Sequence, residues 1–113
     1  MENILRNINQ SEVLTLAECV AYAEGQVVNK TLIQNSGVGI TLFAFAKGEG
    51  ISTHESKGDA LVVALDGKGK ITIDGINYIL GKGESIVMLA SLPHAVYGED
   101  NFKMLLVIVF PGN

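Results

Sequence analysis

The chain of 113 residues contains two histidines, His54 in "GEGISTHES" and His94 in "ASLPHAVY", each beside an apolar strand-like segment. Imidazole is the commonest protein ligand for transition metals, so this pair is the first candidate for a metal or ligand site. Each residue also has a plainer interpretation. His54 could face solvent in a loop, and His94 could bond a backbone carbonyl beside the turn that Pro93 helps to set.

Nucleophilic catalysis has little support in the sequence. Cys19 is the single cysteine, and no histidine or basic residue close in sequence would activate its thiol, so we interpret it as a small buried hydrophobe. A lone cysteine rules out an intrachain disulfide, and a reducing, cytoplasmic location is expected. Ser56 lies near His54 without a G-x-S-x-G elbow. It either fills a hydrogen-bonding position in a pocket or caps the "THES" loop.

The elements that must position these residues are mainly strands. Beyond Gly25, short apolar segments alternate with turn signals, and Asp74-Gly75 between "KITI" and "INYIL" predicts a two-residue hairpin. About eight short strands in a chain of this size predict an all-β sandwich or barrel. The repeated "GKG" segments are interpreted as turns, because no helix follows them. The predicted strands are Gln26–Gln34, Val38–Ala46, Asp59–Leu65, Lys70–Ile73, Ile76–Leu80, Ser85–Ala90, His94–Tyr97 and Phe102–Phe110.

One short helix is predicted ahead of the strands. Thr15 and Glu18 have the spacing of a capping box, and Gly25 provides a stop signal. A helix of two to three turns here would lay one apolar face on the sheet. We therefore expect a single domain over 1–113, with an N-terminal extension and short helix over 1–25 and a β-barrel over 26–110.

Several predicted strands are apolar on both faces, namely "ITLFAFA", "ALVVAL", "SIVMLA" and "MLLVIVF". One face of each can line a barrel interior, and the other also needs a cover. One short helix is too small to cover all of it, so a twofold homodimer that packs sheet against sheet is expected.

Charge and hydropathy exclude two classes of partner. The net charge is −4, and the eight Lys and Arg residues are scattered, so nucleic-acid binding is not expected. The longest apolar run, "MLLVIVF", is far shorter than the ~20 residues that span a bilayer, and "MENILRNINQ" lacks a secretory signal, so no membrane association is expected. The expected partners are a small molecule and a second copy of the chain.

The spacing of glycines and histidines resembles the two motifs of the cupin superfamily, whose members are small jelly-roll barrels (double-stranded β-helices). The first motif reads G-x5-H-x-H-x3,4-E-x6-G, and Gly48, His54 and Gly67 match it. The second reads G-x5-P-x-G-x2-H-x3-N, and Gly83 and His94 match it. The resemblance covers about residues 26–110 and implies a ligand pocket at the barrel mouth.

Half of the implied metal cage is missing. The resemblance implies three histidines and one glutamate, but Ser56 takes the place of the second histidine and Ala60 that of the glutamate. A tightly held metal usually has three or four protein donors, so Zn, Fe, Mn or Ni would be held weakly by His54 and His94. Glu55 and Asp59 each lie one residue before a ligand position of the motif, so their side chains should point to the opposite face of the strand. Only a bulge would bring either inward.

We expect a binding protein with a small-molecule or weak metal pocket at the barrel mouth and no specified reaction. The alternative is a metal-dependent enzyme, a dioxygenase, isomerase or related activity on a small organic substrate, because the resemblance implies a metal that acts as Lewis acid or oxygen activator. The expected metal ligands are His54 and His94, and no catalytic residue is assigned. Aromatic and sulfur-containing side chains, Phe43, Phe45 and Tyr97 among them, either line the cavity or pack the core. The expected pocket residues are His54, Ser56, Ala60, Met88, His94 and Met104.

Overall fold

The computed structural model describes residues 3–112. Nearly all of the regular structure is antiparallel β, so the all-β prediction is confirmed. The predicted division at residue 25 stays a prediction, and residues 1, 2 and 113 of the predicted domain lie outside the described residues. The strands are β1 Val27–Gln34, β2 Val38–Phe45, β3 Gly50–His54, β4 Asp59–Ile73, β5 Ile76–Gly81, β6 Ser85–Met88 and β7 His94–Val109.

The two long strands, β4 and β7, form the centre of the barrel. The strand order is β1-β2-β7-β4-β5, with β3 added to β7 and β6 added to β4. The first part of β7, from His94, pairs with β3, and its second part, from Phe102, pairs with β2. In the same way β4 pairs with β6 near its start and with β5 near its end. Each long strand therefore contributes to two parts of the barrel wall.

Glycines allow β4 to bend in the middle, opposite the middle of β7. Gly67 has a φ of +73°, and a Cβ atom there would lie 1.6 Å from the carbonyl oxygen of Asn101 on β7. At Gly69 a Cβ atom would lie 2.5 Å from the ring of Phe102. The register between β4 and β7 shifts on either side of Gly67, as at a β-bulge. This bend explains why the sequence suggested separate strands where the structure has continuous ones.

Three details of the strand prediction were wrong. The segments 59–65 and 70–73 belong to one strand, β4, and the segments 94–97 and 102–110 belong to β7, because a bend with glycines at its centre does not interrupt the hydrogen bonding. The strand β3 was missed, because Gly50–His54 is mostly polar and exposed. Its backbone nevertheless pairs with β7.

The predicted helix of two to three turns was also wrong, because only a 3-10 turn, Leu16–Glu18, forms. The Thr15 side chain makes no capping hydrogen bond. The carbonyl of Ala17, which a continuing α-helix would pair with the N–H of residue 21, instead accepts a hydrogen bond from Lys103 Nζ on β7. Among residues 3–112, no helix is long and apolar enough to span a bilayer.

The barrel wall has an inner and an outer apolar cluster. The inner cluster fills the barrel and centres on Phe45, Phe102 and Met104, which are fully buried. The outer cluster joins Val20 and its neighbours in the N-terminal segment to the outer side of β1 and β2. Tyr22 secures this segment, since its hydroxyl donates to Asp66 Oδ2 at 2.7 Å. Cys19 packs half-buried against the outer cluster.

Candidate functional site

The two histidines come together at the ends of two paired strands. His54 is the last residue of β3 and His94 is the first of β7, and the two are direct partners in the ladder. Their rings stand edge to face, with centroids 4.3 Å apart and planes inclined by 70°. His94 is 3% exposed, whereas His54 is exposed to solvent. One ring is thus held inside the barrel mouth and the other forms part of its rim.

A bulge in β3 gives His54 its inward orientation. Ile51 pairs with Val96 and His54 pairs with His94, so three steps on β3 match two steps on β7. A regular ladder would have placed Thr53 opposite His94 and turned His54 to the other face, because side chains alternate along a strand. The one extra residue reverses the phase, as expected of a β-bulge.

Backbone carbonyls fix the tautomer of both rings. His54 Nδ1 lies 2.9 Å from the carbonyl oxygen of Ser52, and His94 Nδ1 lies 3.1 Å from that of Leu92. A carbonyl oxygen only accepts, so each Nδ1 carries the hydrogen and donates. In the neutral rings each Nε2 is therefore left with a lone pair. The two Nε2 atoms lie 3.1 Å apart, so a proton between them, or a metal ion beside both, would turn the repulsion of their lone pairs into attraction.

The donor set fits two positions of a metal shell. Two imidazole nitrogens bound to one ion at about 2.1 Å each would be about 3.0 Å apart at an angle of 90° and about 3.4 Å apart at a tetrahedral angle. The observed separation of the Nε2 atoms lies between these two values. Within residues 3–112, however, no three or more His, Cys, Asp or Glu side chains form a metal-binding group. The protein supplies two donors, and any others must come from water or a ligand.

Burial lowers the pKa of His94. Loss of solvent around the ring is the largest cause, and the positive charge of a protonated His54 acts in the same direction. The hydrogen bond to the Leu92 carbonyl and the carboxylate of Glu55 oppose this shift. His94 is therefore biased towards its neutral form, which is the form that binds metals.

The acidic residues beside the motif do not line the cavity. Asp59 lies outside it and accepts a hydrogen bond from the Ala90 N–H through Oδ1 at 2.8 Å. Glu55 acts on His94 only through its charge. The Oγ of Ser56 accepts from the Gly58 N–H at 3.1 Å, so Ser56 stabilises its own loop while it lines the cavity. The observed bulge lies upstream, between Ile51 and His54, and neither Glu55 nor Asp59 is turned into the cavity.

Behind the histidine pair lies a cavity of about 110 Å³. All six residues expected in the pocket line it, as does Phe43, whereas Phe45 packs in the core and Tyr97 is on the exposed side of β7. Alternation along β7 would have identified Leu106 and Ile108, since they share a face with Met104. Ile51 was missed together with its strand. The lining consists of Phe43, Ile51, His54, Ser56, Ala60, Met88, His94, Val96, Met104, Leu106 and Ile108.

A larger depression of about 720 Å³ lies elsewhere, between residues 3–7 and the end of β1. Its lining includes Asn3, Arg6, Asn7, Gln34 and Asn35, and it contains neither histidine. The cavity behind the histidine pair is smaller but contains both His54 and His94.

A family model described as the cupin domain matches residues 41–110. This chain belongs to the cupin family. The cupin is similar to a conserved protein of unknown function from Streptococcus pyogenes, with 41% identity over 99% of this chain and 98% of the other and a TM-score of 0.96. It is also similar to a cupin superfamily protein from Desulfitobacterium hafniense, with 36% identity over 95% and 98% of the two chains and a TM-score of 0.90.

More distant similarity extends to an enzyme. Salicylate 1,2-dioxygenase from Pseudaminobacter salicylatoxidans gives a TM-score of 0.68 over 77% of this cupin and 27% of the dioxygenase chain, at 16% identity. At that identity the likeness shows the fold alone. No curated protein matches the sequence of this cupin. The jelly-roll barrel expected from the motif spacing is confirmed.

Proposed function

We propose that this cupin binds a small molecule at the mouth of its barrel through the His54–His94 pair, with a divalent metal held weakly at the same place. The observation that supports this most directly is the pair of Nε2 lone pairs, 3.1 Å apart, beside an apolar cavity. Apolar walls with a few convergent polar groups are usual in small-molecule sites, and a cavity of about 110 Å³ suits only a very small ligand or one end of a larger one. The lone thiol, Cys19, supports a cytoplasmic location.

The two histidines, the backbone carbonyls and the apolar walls of the cavity would have separate roles in binding. His54 and His94 would hold Zn, Fe, Mn or Ni through their Nε2 atoms, and the carbonyls of Ser52 and Leu92 keep both rings in the required tautomer. A bound metal would supply Lewis-acid or oxygen-activating chemistry. The apolar walls would exclude water from the inner part of the ligand.

Metal content tests this proposal. Protein purified without added metal should carry far less than one metal per chain, and added Zn²⁺ should bind one site per chain in isothermal titration calorimetry. His54→Ala and His94→Ala should each abolish this binding, whereas Ser56→Ala, the matched change at the same mouth, should keep it. Zn²⁺ binding that survives both histidine substitutions would place the metal elsewhere and contradict the proposal.

The second candidate is a metal-dependent enzyme, a dioxygenase, isomerase or related activity on a small organic substrate. It is supported by the open side of the histidine pair, which leaves coordination positions for a substrate facing the cavity. Near-stoichiometric iron, manganese, nickel or zinc in the purified protein, lost in His54→Ala and His94→Ala, would favour this candidate over simple binding.

We also propose that the functional unit is a homodimer formed through the outer face of the sheet. Val107, Leu61 and Val87 lie side by side across β7, β4 and β6 and present no charge. Leu61 and Val87 are 39% and 52% exposed, a large exposure for hydrophobic side chains that lie next to each other.

A further inference from the structure

The cavity behind the histidines has mainly apolar walls. Besides His54, Ser56 and His94, all eight lining side chains are hydrophobic. Ala60 and Met88 lie next to each other in one wall and are 1% and 2% exposed. Sugars, nucleotides and phosphates would leave their polar groups unpaired between such walls. The part of a ligand that enters the cavity is therefore a hydrocarbon.

The volume limits the size of this hydrocarbon part. The cavity measures about 110 Å³, and an apolar protein cavity of about 150 Å³ accommodates benzene. The body that fits here is therefore somewhat smaller than a benzene ring, in the range of a propyl or isobutyl group. A long chain or a fused ring would need the walls to move, and a closely packed interior resists such movement.

The polar side chains of the lining offer lone pairs and no N–H group. Both Nδ1–H groups donate to backbone carbonyls, so the Nε2 atoms of neutral His54 and His94 are acceptors. The Oγ of Ser56 accepts from the Gly58 N–H and keeps a second lone pair. A ligand head that donates several hydrogen bonds is suited to these groups. A carbonyl or carboxylate head would set its own lone pairs against those of both rings.

The spacing of the two rings suits a single donor nitrogen. Their Nε2 atoms lie 3.1 Å apart. A ligand nitrogen about 3.0 Å from both, which is an ordinary hydrogen-bond length, would see them about 62° apart. Two N–H bonds of one ammonium group diverge by about 109°, so each N–H···N angle would be about 145°, well above the ~120° below which hydrogen bonds weaken steeply. One ammonium group can therefore bond both rings and keep a third N–H for Ser56.

The charges around the pair favour a cationic head. Lys and Arg are absent from the lining, and the carboxylate of Glu55 acts on His94 in the direction that favours positive charge. The net charge of the chain is −4. His54 is exposed, so an ammonium group beside it would keep part of its hydration and avoid the full cost of burying a charge.

We infer that the ligand class of this site is a compact primary amine in its ammonium form, with an apolar body of about three or four carbon atoms. The inference rests on the proposed function, because it uses the same histidine pair, but it needs no metal. The head donates to the Nε2 atoms of His54 and His94 and to the Oγ of Ser56. The body lies between Met88 and Met104.

Methionine methyl groups allow a direct test. Two of the three methionines, Met88 and Met104, line the cavity, so ¹³C-methyl methionine labels report on it. At about pH 8.5, with a chelator present, histidines are neutral and alkylamines are protonated. Isobutylamine should shift both signals in a saturable way. Isobutanol tests the same body without the charge, isobutyrate tests an anionic head, and ethanolamine tests the same head on a polar body. These three probes should bind at least tenfold more weakly than isobutylamine.

Substitutions around the mouth test each contact of the head. His54→Ala and His94→Ala should each weaken isobutylamine binding at least tenfold, because each removes a hydrogen bond to a charged group. Ser56→Ala should weaken it about tenfold for the same reason while Zn²⁺ binding is kept. Glu55→Gln should weaken isobutylamine severalfold and leave isobutanol unchanged, whereas Glu24→Gln, a control in the N-terminal segment, should change neither. If a variant does not fold, the probe comparison on the unsubstituted protein decides.

The outcomes separate the two proposals. If Zn²⁺ binds through the histidine pair but isobutylamine moves neither methionine signal, the ligand class is wrong and the proposed function stands. If isobutanol or isobutyrate binds as tightly as isobutylamine, the ammonium head has no role and the inference is overturned. Isobutylamine binding that survives both His54→Ala and His94→Ala would overturn it as well. If neither Zn²⁺ nor any probe binds, both proposals fail.

Discussion

The two faces of the sheet formed by β2, β7, β4 and β6 are both apolar, yet only the inner face is closed. On the inner face Ala60 and Met88 lie next to each other and are almost fully buried. One residue further along each strand, on the outer face, Leu61 and Val87 are also neighbours, but they are 39% and 52% exposed. A hydrophobic sequence thus predicts that a sheet face should be buried, but it does not predict which part of this chain, or which other chain, buries it.

The N-terminal segment covers only one end of the outer face. Val20 packs with Leu42 and Ala44 on β2, and Lys103 and Tyr22 hold the segment in place through a cation–π contact at 4.7 Å. The other end, towards Val109, stays exposed. The inner face is therefore completed within the chain, and the exposed end of the outer face is where we propose that a second copy packs.

The largest effect is expected from a charge on the outer face. Leu61→Lys would place an ammonium group against the partner, and a twofold interface contains every substitution twice. We expect the dimer dissociation constant to rise about a hundredfold, or about 2.7 kcal/mol. Analytical ultracentrifugation measures it. Ile79→Lys, at an apolar position on β5 that is 54% exposed where Leu61 is 39% exposed, is the control and should leave the dimer intact. A protein that is monomeric before substitution would refute the dimer.

A pair of matched valines compares the two faces directly. Val62 is fully buried on the inner face and Val87 is half exposed on the outer face. Val62→Ala should lower the free energy of unfolding by about 2 kcal/mol, because it removes buried methyl groups and leaves a cavity. Val87→Ala should cost less than about 0.5 kcal/mol in the monomer. Urea unfolding at concentrations where the protein is monomeric measures both. Equal losses would show that the two faces are equally buried.

The smallest effect is expected from pH. Burial lowers the pKa of His94, so between its native pKa and the unfolded value of about 6.5 the unfolded chain binds more protons than the native protein. Stability should therefore be fully present above about pH 6.5 and fall as the pH is lowered through the native pKa. Urea unfolding with a chelator present, from pH 7.5 to 5, measures the slope.

Two histidine variants test whether the dependence of the unfolding free energy on pH comes from His94. His94→Gln should flatten it, whereas His54→Gln should retain its sign, because burial is the main cause of the shift. A slope that His94→Gln leaves unchanged would assign the titration to another group.

The architecture could be predicted from the sequence because its signals are local. The Asp74-Gly75 turn and the alternation of strands and glycines are set by nearby residues, and the structure has a hairpin at that turn. The helix prediction was wrong because the Thr15 side chain makes no capping hydrogen bond, and a distant residue, Lys103, binds a carbonyl of the 3-10 turn that forms instead. The polar strand β3 failed because it forms through backbone pairing with β7 rather than through apolar side chains.

For the candidate site, too, local features could be predicted from the sequence and features set by distant residues could not. Motif spacing selected His54 and His94, and the structure brings them to 3.1 Å between their Nε2 atoms. Spacing gave no sign of the bulge that turns His54 inward, because a bulge is set by the partner strand. The pKa direction of His94 and the shape of the cavity were equally out of reach, since both depend on side chains from several strands.

The bulge in β3 means that the length of this segment matters as much as its composition. The chain carries one residue more between Ile51 and His54 than regular pairing with β7 would need. Insertion or deletion of a single residue there would change which side chain faces His94, with no ligand replaced. Relatives that keep both histidines but differ in length at this point should therefore be judged by strand pairing and not by residue identity alone.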